Sequence, residues 1–304
     1  MVLLKLFWQA LVLGRDLVND FLGKNCMQLA AAIAFYALFS LFPLVLALLA
    51  ALAFLPGSSA VAPQLAREMG ALIPVSSALL GTTLEGLIRA RAVTGVFGVL
   101  GLLWASTAVF GAIRKGINAA WGIHRPRPFL QERLMDFSLL VGAGVLLLIP
   151  IAATVVAPVV EEAGNLIFSG TAFSGERLWG VAESLIGSLL AFLTFLALYF
   201  YLPNTPVRLR VVWPGALFAT AAFEVAKSVF VWYVEAYPFY EGIYGPIGWV
   251  VALLAFIYVS AVILLFGALA TAHWAAWVSA RGQAGAPGAE DGSESAPAAP
   301  MKGR

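Results

Sequence analysis

Cysteine, histidine and charge are all scarce in this chain of 304 residues. The single cysteine, Cys26, excludes an intramolecular disulfide and a thiolate metal cluster. The two histidines, His124 and His273, fall on a loop and near a helix end, too far apart in the sequence to form a local metal motif. There is no HExxH, no phosphate-cradling glycine loop ending in Lys-Ser or Lys-Thr, and no acidic cluster able to hold two metal ions. The sequence therefore predicts no metal, no cofactor and no catalytic residues, and it does not read as an enzyme. Charged residues make up only 11% of the chain, against about 25% in an ordinary soluble protein. The formal net charge of +2 is too small to suggest nucleic acid as a partner.

What fills the chain instead is apolar. Hydrophobic residues reach 62% and the mean hydropathy is +0.92, more than a soluble core of this length would bury. The expected class is an all-α membrane protein. A span needs about 20 mostly apolar residues, and six stretches qualify: Gln28–Leu55, Ala92–Ile113, Phe137–Val160, Ser184–Leu202, Val211–Val234, and a last run from Ile247 with no Lys, Arg, Asp or Glu before Arg281. That last run exceeds one bilayer thickness, so it must tilt or project.

The flanks complete the expected organisation. Residues 1–27 do not read as a cleavable signal, because Arg15 and Asp16 interrupt the apolar stretch. Leu3, Leu6, Ala10, Leu13, Leu17 and Phe21 follow helical spacing, which predicts an interfacial amphipathic helix. Leu80, Leu84, Leu87 and Ile88 predict a second amphipathic helix, over residues 76–91, on the outer face. Residues 28–280 form the six-span domain, and 281–304, rich in Ala, Gly, Pro and Ser, read as a disordered tail.

Basic residues set the orientation. With both termini cytoplasmic, 13 Lys and Arg residues lie inside and 4 (Arg67, Arg89, Arg91, Arg177) lie outside, with Lys227 left within a span. The expected location is a bacterial inner membrane. Arg114, Lys115, Arg125, Arg127, Arg208 and Arg210 gather on the inner side, where they are expected either to contact anionic phospholipid headgroups or to act as ordinary topogenic charge.

Glu224 and Lys227 are the exception to the apolar fifth span. A lone charge at mid-membrane depth costs about 2.5–3.5 kcal/mol on insertion scales. Three residues apart on a helix, the two side chains are neighbours and can pair. Thr220, Ser228 and Glu235 extend the same side, so this face must meet protein or water rather than lipid. In the first span Gln28, Ala32, Tyr36 and Ser40 make a matching stripe, followed by Pro43. Tyr233, Tyr237, Tyr240, Tyr244 and Trp249 suit an aromatic belt at the outer interface.

Three stretches resemble motifs of the YihY/BrkB family of bacterial inner-membrane proteins. They are LAAAIAFYALFSLFPLVLALLA at Leu29–Ala50, WASTAVFGAIRKGINAAWGI at Trp104–Ile123, and LPNTPVRLRVVWPGALFATAAFEVAKSVFVWYVEAYPFYEGIYGPIG at Leu202–Gly248. The resemblance runs from about Asp20 to His273. It implies six membrane helices and marks Pro43, Asn118, Pro203, Gly215, Glu224, Lys227, Tyr233, Tyr244 and Gly245 as motif positions. It also implies an acid after Gly267 and Ala268, where this chain has Leu269. Some members of the family carry a ribonuclease label and others a virulence label; no residue pattern in this chain supports ribonuclease chemistry.

Two functions follow as expectations. The first is a transporter or lipid translocator of the cell envelope, with a polar groove between the first and fifth spans lined by Glu224, Lys227, Ser228, Tyr36, Ser40, Pro43, Asn118, Tyr233 and Tyr244. The second is a non-transporting envelope scaffold, whose buried Glu/Lys pair only locks helices together. A translocator needs an opening that reaches the pair; a scaffold should seal it in protein.

Overall fold

A computed structural model describes residues 14–53, 91–123, 127–167, 175–236 and 246–284. Every regular element among them is a helix. We number these α1 (14–23), α2 (Cys26–Ala53), α3 (Arg91–Ala120), α4 (Phe129–Ile167), α5 (Gly175–Tyr201), α6 (Leu209–Ala236) and α7 (Pro246–Ala284). Five of them contain segments long and apolar enough to cross a membrane: Cys26–Leu44, Val96–Ala120, Gly180–Tyr201, Leu209–Val234 and Val250–Ser279. The expected third span lies within α4, which is not among those five.

Local chemistry explains where the helices stop. Between α1 and α2, Asn25 takes a left-handed conformation (φ 54°) that few residues other than Gly and Asn tolerate. At the end of α3, Gly122 is left-handed (φ 69°), the Gly122 N–H donates to Ala119 O, and the Ile123 N–H donates to Asn118 O at 2.8 Å. That pattern is a Schellman cap. Pro203 and Pro206 keep the link from α5 to α6 out of helix. Pro246 opens α7, where its missing N–H costs nothing.

The helices form a ring in chain order, α2 to α7, closed by α7 against α2. α7 also touches α3 and α5, so it runs through the middle of the packing. Ala261, Leu264, Leu265, Ala268 and Leu269 of α7 are all buried. In lipid, apolar burial drives no association, so close packing and interhelical hydrogen bonds must do so. The contacts of α7 with α6 and α5 show both. A Cβ on Gly215 would collide with the Thr271 hydroxyl and lie 3.1 Å from the Gly267 carbonyl oxygen. A Cβ on Gly267 would strike the Tyr199 hydroxyl, which instead donates to the Leu264 carbonyl at 2.7 Å. Large apolar side chains point outward, Phe42, Phe97 and Trp104 among them, as a lipid-facing surface requires.

Of the expected flanking elements, α1 accounts for the end of the N-terminal helix. Phe21 is buried against Phe266, and Leu17 packs on the same core, while Asp16 and Asn19 are exposed. Residues 1–13, the outer amphipathic helix up to residue 90, and the tail from 285 lie outside the described residues. α7 continues past Arg281 to Ala284.

Candidate functional site

Charged and polar side chains concentrate in two places. The first is the end of the bundle where α3 finishes and α4 and α6 begin. Arg114 points inward, with only 8% of its side chain exposed, and its guanidinium forms an ion pair with Asp136, which is 1% exposed. Glu132 lies 3.3 Å from the same guanidinium, and Arg133 lies 3.7 Å from the other oxygen of Asp136. Burial pushes the Asp136 carboxyl above its ordinary value, while the charge and hydrogen bond of Arg114 pull it back.

This charge cluster is tied into the backbone around it. Asn118 donates to the Arg114 carbonyl at 2.9 Å and accepts the Asn204 N–H at 2.8 Å, which joins α3 to the α5–α6 link. Arg127 donates to the Pro203 carbonyl at 2.7 Å. Lys24 donates to Ala120 O at 3.0 Å and satisfies an orphan carbonyl at the end of α3. Asp20 lies 3.6 Å from Lys24, and its Oδ2 lies 2.9 Å from His273 Nε2 on α7. The His273 hydrogen bond is the main reason the Asp20 carboxyl sits below the ordinary carboxylate value. One chain of contacts thus links α1, α3 and α7 at the same end.

The second place is the middle of α6. By helical rise, Glu224 is about 22 Å from the start of α6 and about 18 Å from its end. Lys227 and Glu224 are in direct ion-pair contact. The other carboxylate oxygen, Oε1, accepts a hydrogen bond from Ser188 of α5 at 3.1 Å. Ser228 donates back to the Glu224 carbonyl, a local helix contact. Unlike Arg114 and Asp136, this pair is open: 46% of the Lys227 side chain and 28% of Glu224 are exposed. Val225, Val229 and Trp232 flank it on the outside of the bundle, and Leu185 and Leu189 do so on α5.

The residues expected to share a groove are spread over several helices. α2 packs on α3 and α7, and α6 packs on α5 and α7, so α7 stands between the first and fifth spans. Tyr36 is exposed on α2, and Ser40 bonds to its own helix at Ala37 O. The Pro43 Cβ lies 3.1 Å from where a Cβ on Gly101 would sit, so Pro43 serves the α2–α3 contact. Asn118 belongs to the bundle end. Tyr233 lies on α6 beyond the ion pair, and Tyr244 is outside the described residues. Among the expected headgroup contacts, Arg114 and Arg127 have protein partners, Lys115, Arg208 and Arg210 are exposed, and Arg125 is outside the described residues. Leu269, where the resemblance implies an acid, is fully buried in the apolar core.

Sequence reasoning missed Ser188, Asp136, Glu132, Asp20 and the role of His273. Asp136 and Glu132 look like ordinary charges beside a span, and their partner is 22 residues away for Asp136, beyond the reach of periodicity. Ser188 could have been suspected as one of the few hydroxyls on the span preceding an intramembrane acid.

Comparison with known proteins agrees with the motifs. The profile of a family described as Virulence factor BrkB matches residues 17–291. A UPF0761 membrane protein of Aeromonas salmonicida is 31% identical over 203 residues, covering 66% of this chain and 67% of the relative. A UPF0761 membrane protein of Alkalilimnicola ehrlichii is 31% identical over 271 residues, 86% of this chain and 58% of the relative. YfkH of Bacillus subtilis, named as a ribonuclease-like protein, is 28% identical over 173 residues, 56% of this chain and 62% of the relative. The matched segments therefore span about three fifths to two thirds of these relatives. No solved structure matches. Since the matched region takes in both the charged bundle end and the open ion pair, the chain belongs to the Virulence factor BrkB family.

Proposed function

We propose that the protein is a translocator of amphipathic, lipid-type molecules in a bacterial inner membrane, and that Glu224, Lys227 and Ser188 form its polar station at mid-depth. One observation carries this reading. The ion pair is half-open on the outer side of α5 and α6, far from either end of α6. A pair that served only to lock two helices would be expected sealed between them, as Arg114 and Asp136 are. Ionisable groups within a span are costly, and their retention is a default sign of function.

The proposal includes the topology. α4 crosses the membrane together with the five other apolar helices, which makes six spans and places both termini on the cytoplasmic side. The asymmetry of Lys and Arg supports this orientation. In a Cys26→Ser background, a cysteine placed at Gly175 should react with an impermeant thiol reagent added to intact cells, and one placed at Lys115 should not. The exposed Lys115, Arg208 and Arg210 are then positioned to meet anionic headgroups of the inner leaflet. The reading assigns no catalytic step to the chain.

The functional test is reconstitution. Full-length protein in vesicles should carry an acyl-labelled fluorescent phospholipid between leaflets, making label of the inner leaflet accessible to external dithionite. The Glu224→Leu/Lys227→Leu double variant should fold and insert yet carry nothing. A double variant as active as the wild type would defeat the assignment of the station.

A further inference from the structure

The station has a definite charge pattern, and that pattern selects among headgroups. This inference rests on the translocator reading above. We propose that the Glu224–Lys227–Ser188 site takes a zwitterionic phospholipid headgroup, with a phosphate beside a primary ammonium, by exchange of ion-pair partners.

The argument begins from net charge. Glu224 and Lys227 neutralise each other in direct contact. If a headgroup carrying one phosphate and one ammonium enters, Lys227 can turn to the phosphate and Glu224 to the ammonium. Two ion pairs replace one, every charge has a partner, and the site remains neutral throughout. A net anion would take Lys227 and leave Glu224 without a counter-charge in a low-dielectric surrounding, where an unpaired charge is expensive.

Two details favour this exchange over a permanently closed pair. Lys227 is the more exposed partner, at 46% against 28%, and its long stem can swing without moving the helix. Ser188 donates to Oε1 of Glu224, while Lys227 contacts Oε2. The serine can therefore hold the carboxylate in place when the lysine leaves, and Oε2 is the atom freed to accept from an ammonium. A primary ammonium can donate that hydrogen bond and a quaternary one cannot, so ethanolamine headgroups should be preferred over choline. The apolar flank of Val225, Val229, Leu185 and Leu189 suits acyl chains that remain in the bilayer while the headgroup passes.

The experiment is the vesicle assay with acyl-labelled phosphatidylethanolamine, phosphatidylcholine and phosphatidylglycerol in otherwise identical vesicles. Wild-type protein should move the ethanolamine lipid at least about tenfold faster than the glycerol lipid, one such factor corresponding to about 1.4 kcal/mol. Glu224→Gln leaves the site net positive and should invert the order toward the glycerol lipid. Glu224→Lys/Lys227→Glu restores a neutral pair and should restore the ethanolamine preference. Movement of all three lipids at equal rates, or a wild-type preference for the glycerol lipid, overturns the headgroup assignment while translocation stands. Movement of none by well-folded wild-type protein overturns the translocator reading and this inference with it. Should Glu224→Gln fail to insert, the wild-type order of the three lipids still decides.

Discussion

Two ion pairs in this molecule are built from the same chemistry and placed in opposite conditions. Arg114 and Asp136, at the bundle end, are almost fully enclosed, and Glu132, Arg133 and Asn118 surround them with further partners. Glu224 and Lys227, at mid-depth of α6, have one extra partner, Ser188, and are open on one side. The enclosed pair lies near the edge of the bundle, and the open pair lies midway along a helix long and apolar enough to cross a membrane. Stability alone would predict the reverse arrangement. The difference separates a pair that ties helix ends together from a pair with a face left available.

The largest effect should come from breaking the enclosed pair. Arg114→Met leaves Asp136 buried beside Glu132 without their shared cation, and removing one partner of a buried pair typically costs about 3–5 kcal/mol. Folded yield and the unfolding midpoint in detergent should fall steeply. Lys227→Met removes a cation of the same charge but should cost less, because it strands one carboxylate that keeps the Ser188 hydrogen bond, whereas Arg114 serves two. If the two single variants lose equal stability, the contrast between the regions is wrong.

A second test concerns the scaffold that holds the open pair. Gly215→Val puts a branched side chain against Thr271 and the Gly267 backbone, and backbone cannot rotate away. Overpacking of this kind costs about 1–3 kcal/mol. It should lower the unfolding midpoint and slow the proposed transport together, since α6 can no longer seat on α7. Ala at Gly142, where a Cβ meets nothing within 4 Å, is the matched control and should change neither.

Apolar replacement of both members sharpens the comparison further. Exchanging a buried ion pair for apolar residues is often neutral or stabilising. Glu224→Leu/Lys227→Leu should therefore melt at or above the wild-type temperature while abolishing transport. Arg114→Leu/Asp136→Leu should not recover in the same way, because Glu132 and Arg133 would lose their partners. Melting curves of the two double variants, side by side, decide whether one region is functional and the other structural.

Much of the fold was legible because membrane helices are written in local composition. Five of the six expected spans coincide with helices long and apolar enough to cross, though the first such segment stops at Leu44 rather than Leu55 and the second runs on to Ala120. α3 runs beyond Ile113 to Ala120 because its last turns are amphipathic rather than apolar and are held by Lys24 and the Gly122 cap. The pairing of Glu224 with Lys227 was legible for the same reason, since helical spacing alone makes them neighbours. Their third partner was not: Ser188 approaches through the packing of α5 on α6, which no sequence period encodes. The same holds for Arg114, whose position among basic residues suggested an outward-facing cation. Its burial depends on acids at the start of α4 that face it only once the helices assemble. Which spans touch was equally hidden, and the insertion of α7 between α2 and α6 separates stripes that the sequence invited us to join.

The smallest expected effect belongs to the contact between α1 and α7, which borders the enclosed cluster but is itself half-exposed. Asp20 is held below the ordinary carboxylate value, chiefly by its hydrogen bond to His273 and also by Lys24. A carboxyl with a depressed folded-state value contributes stability above its unfolded value, here 3.8, and loses that contribution as the pH falls through the folded value. The link should therefore be present at neutral pH and fade only below about pH 4. Asp20→Asn removes the titrating group. The wild type should melt slightly above this variant at about pH 6, and the gap should narrow as the pH falls below 3.8 and close once the wild-type carboxyl is protonated. The same substitution should leave the proposed lipid transport at neutral pH unchanged, since the contacts of Asp20 are with Lys24 and His273 and reach neither α5 nor α6. A gap that persists unchanged at low pH would show that the Asp20 carboxylate is not what ties α1 to α7.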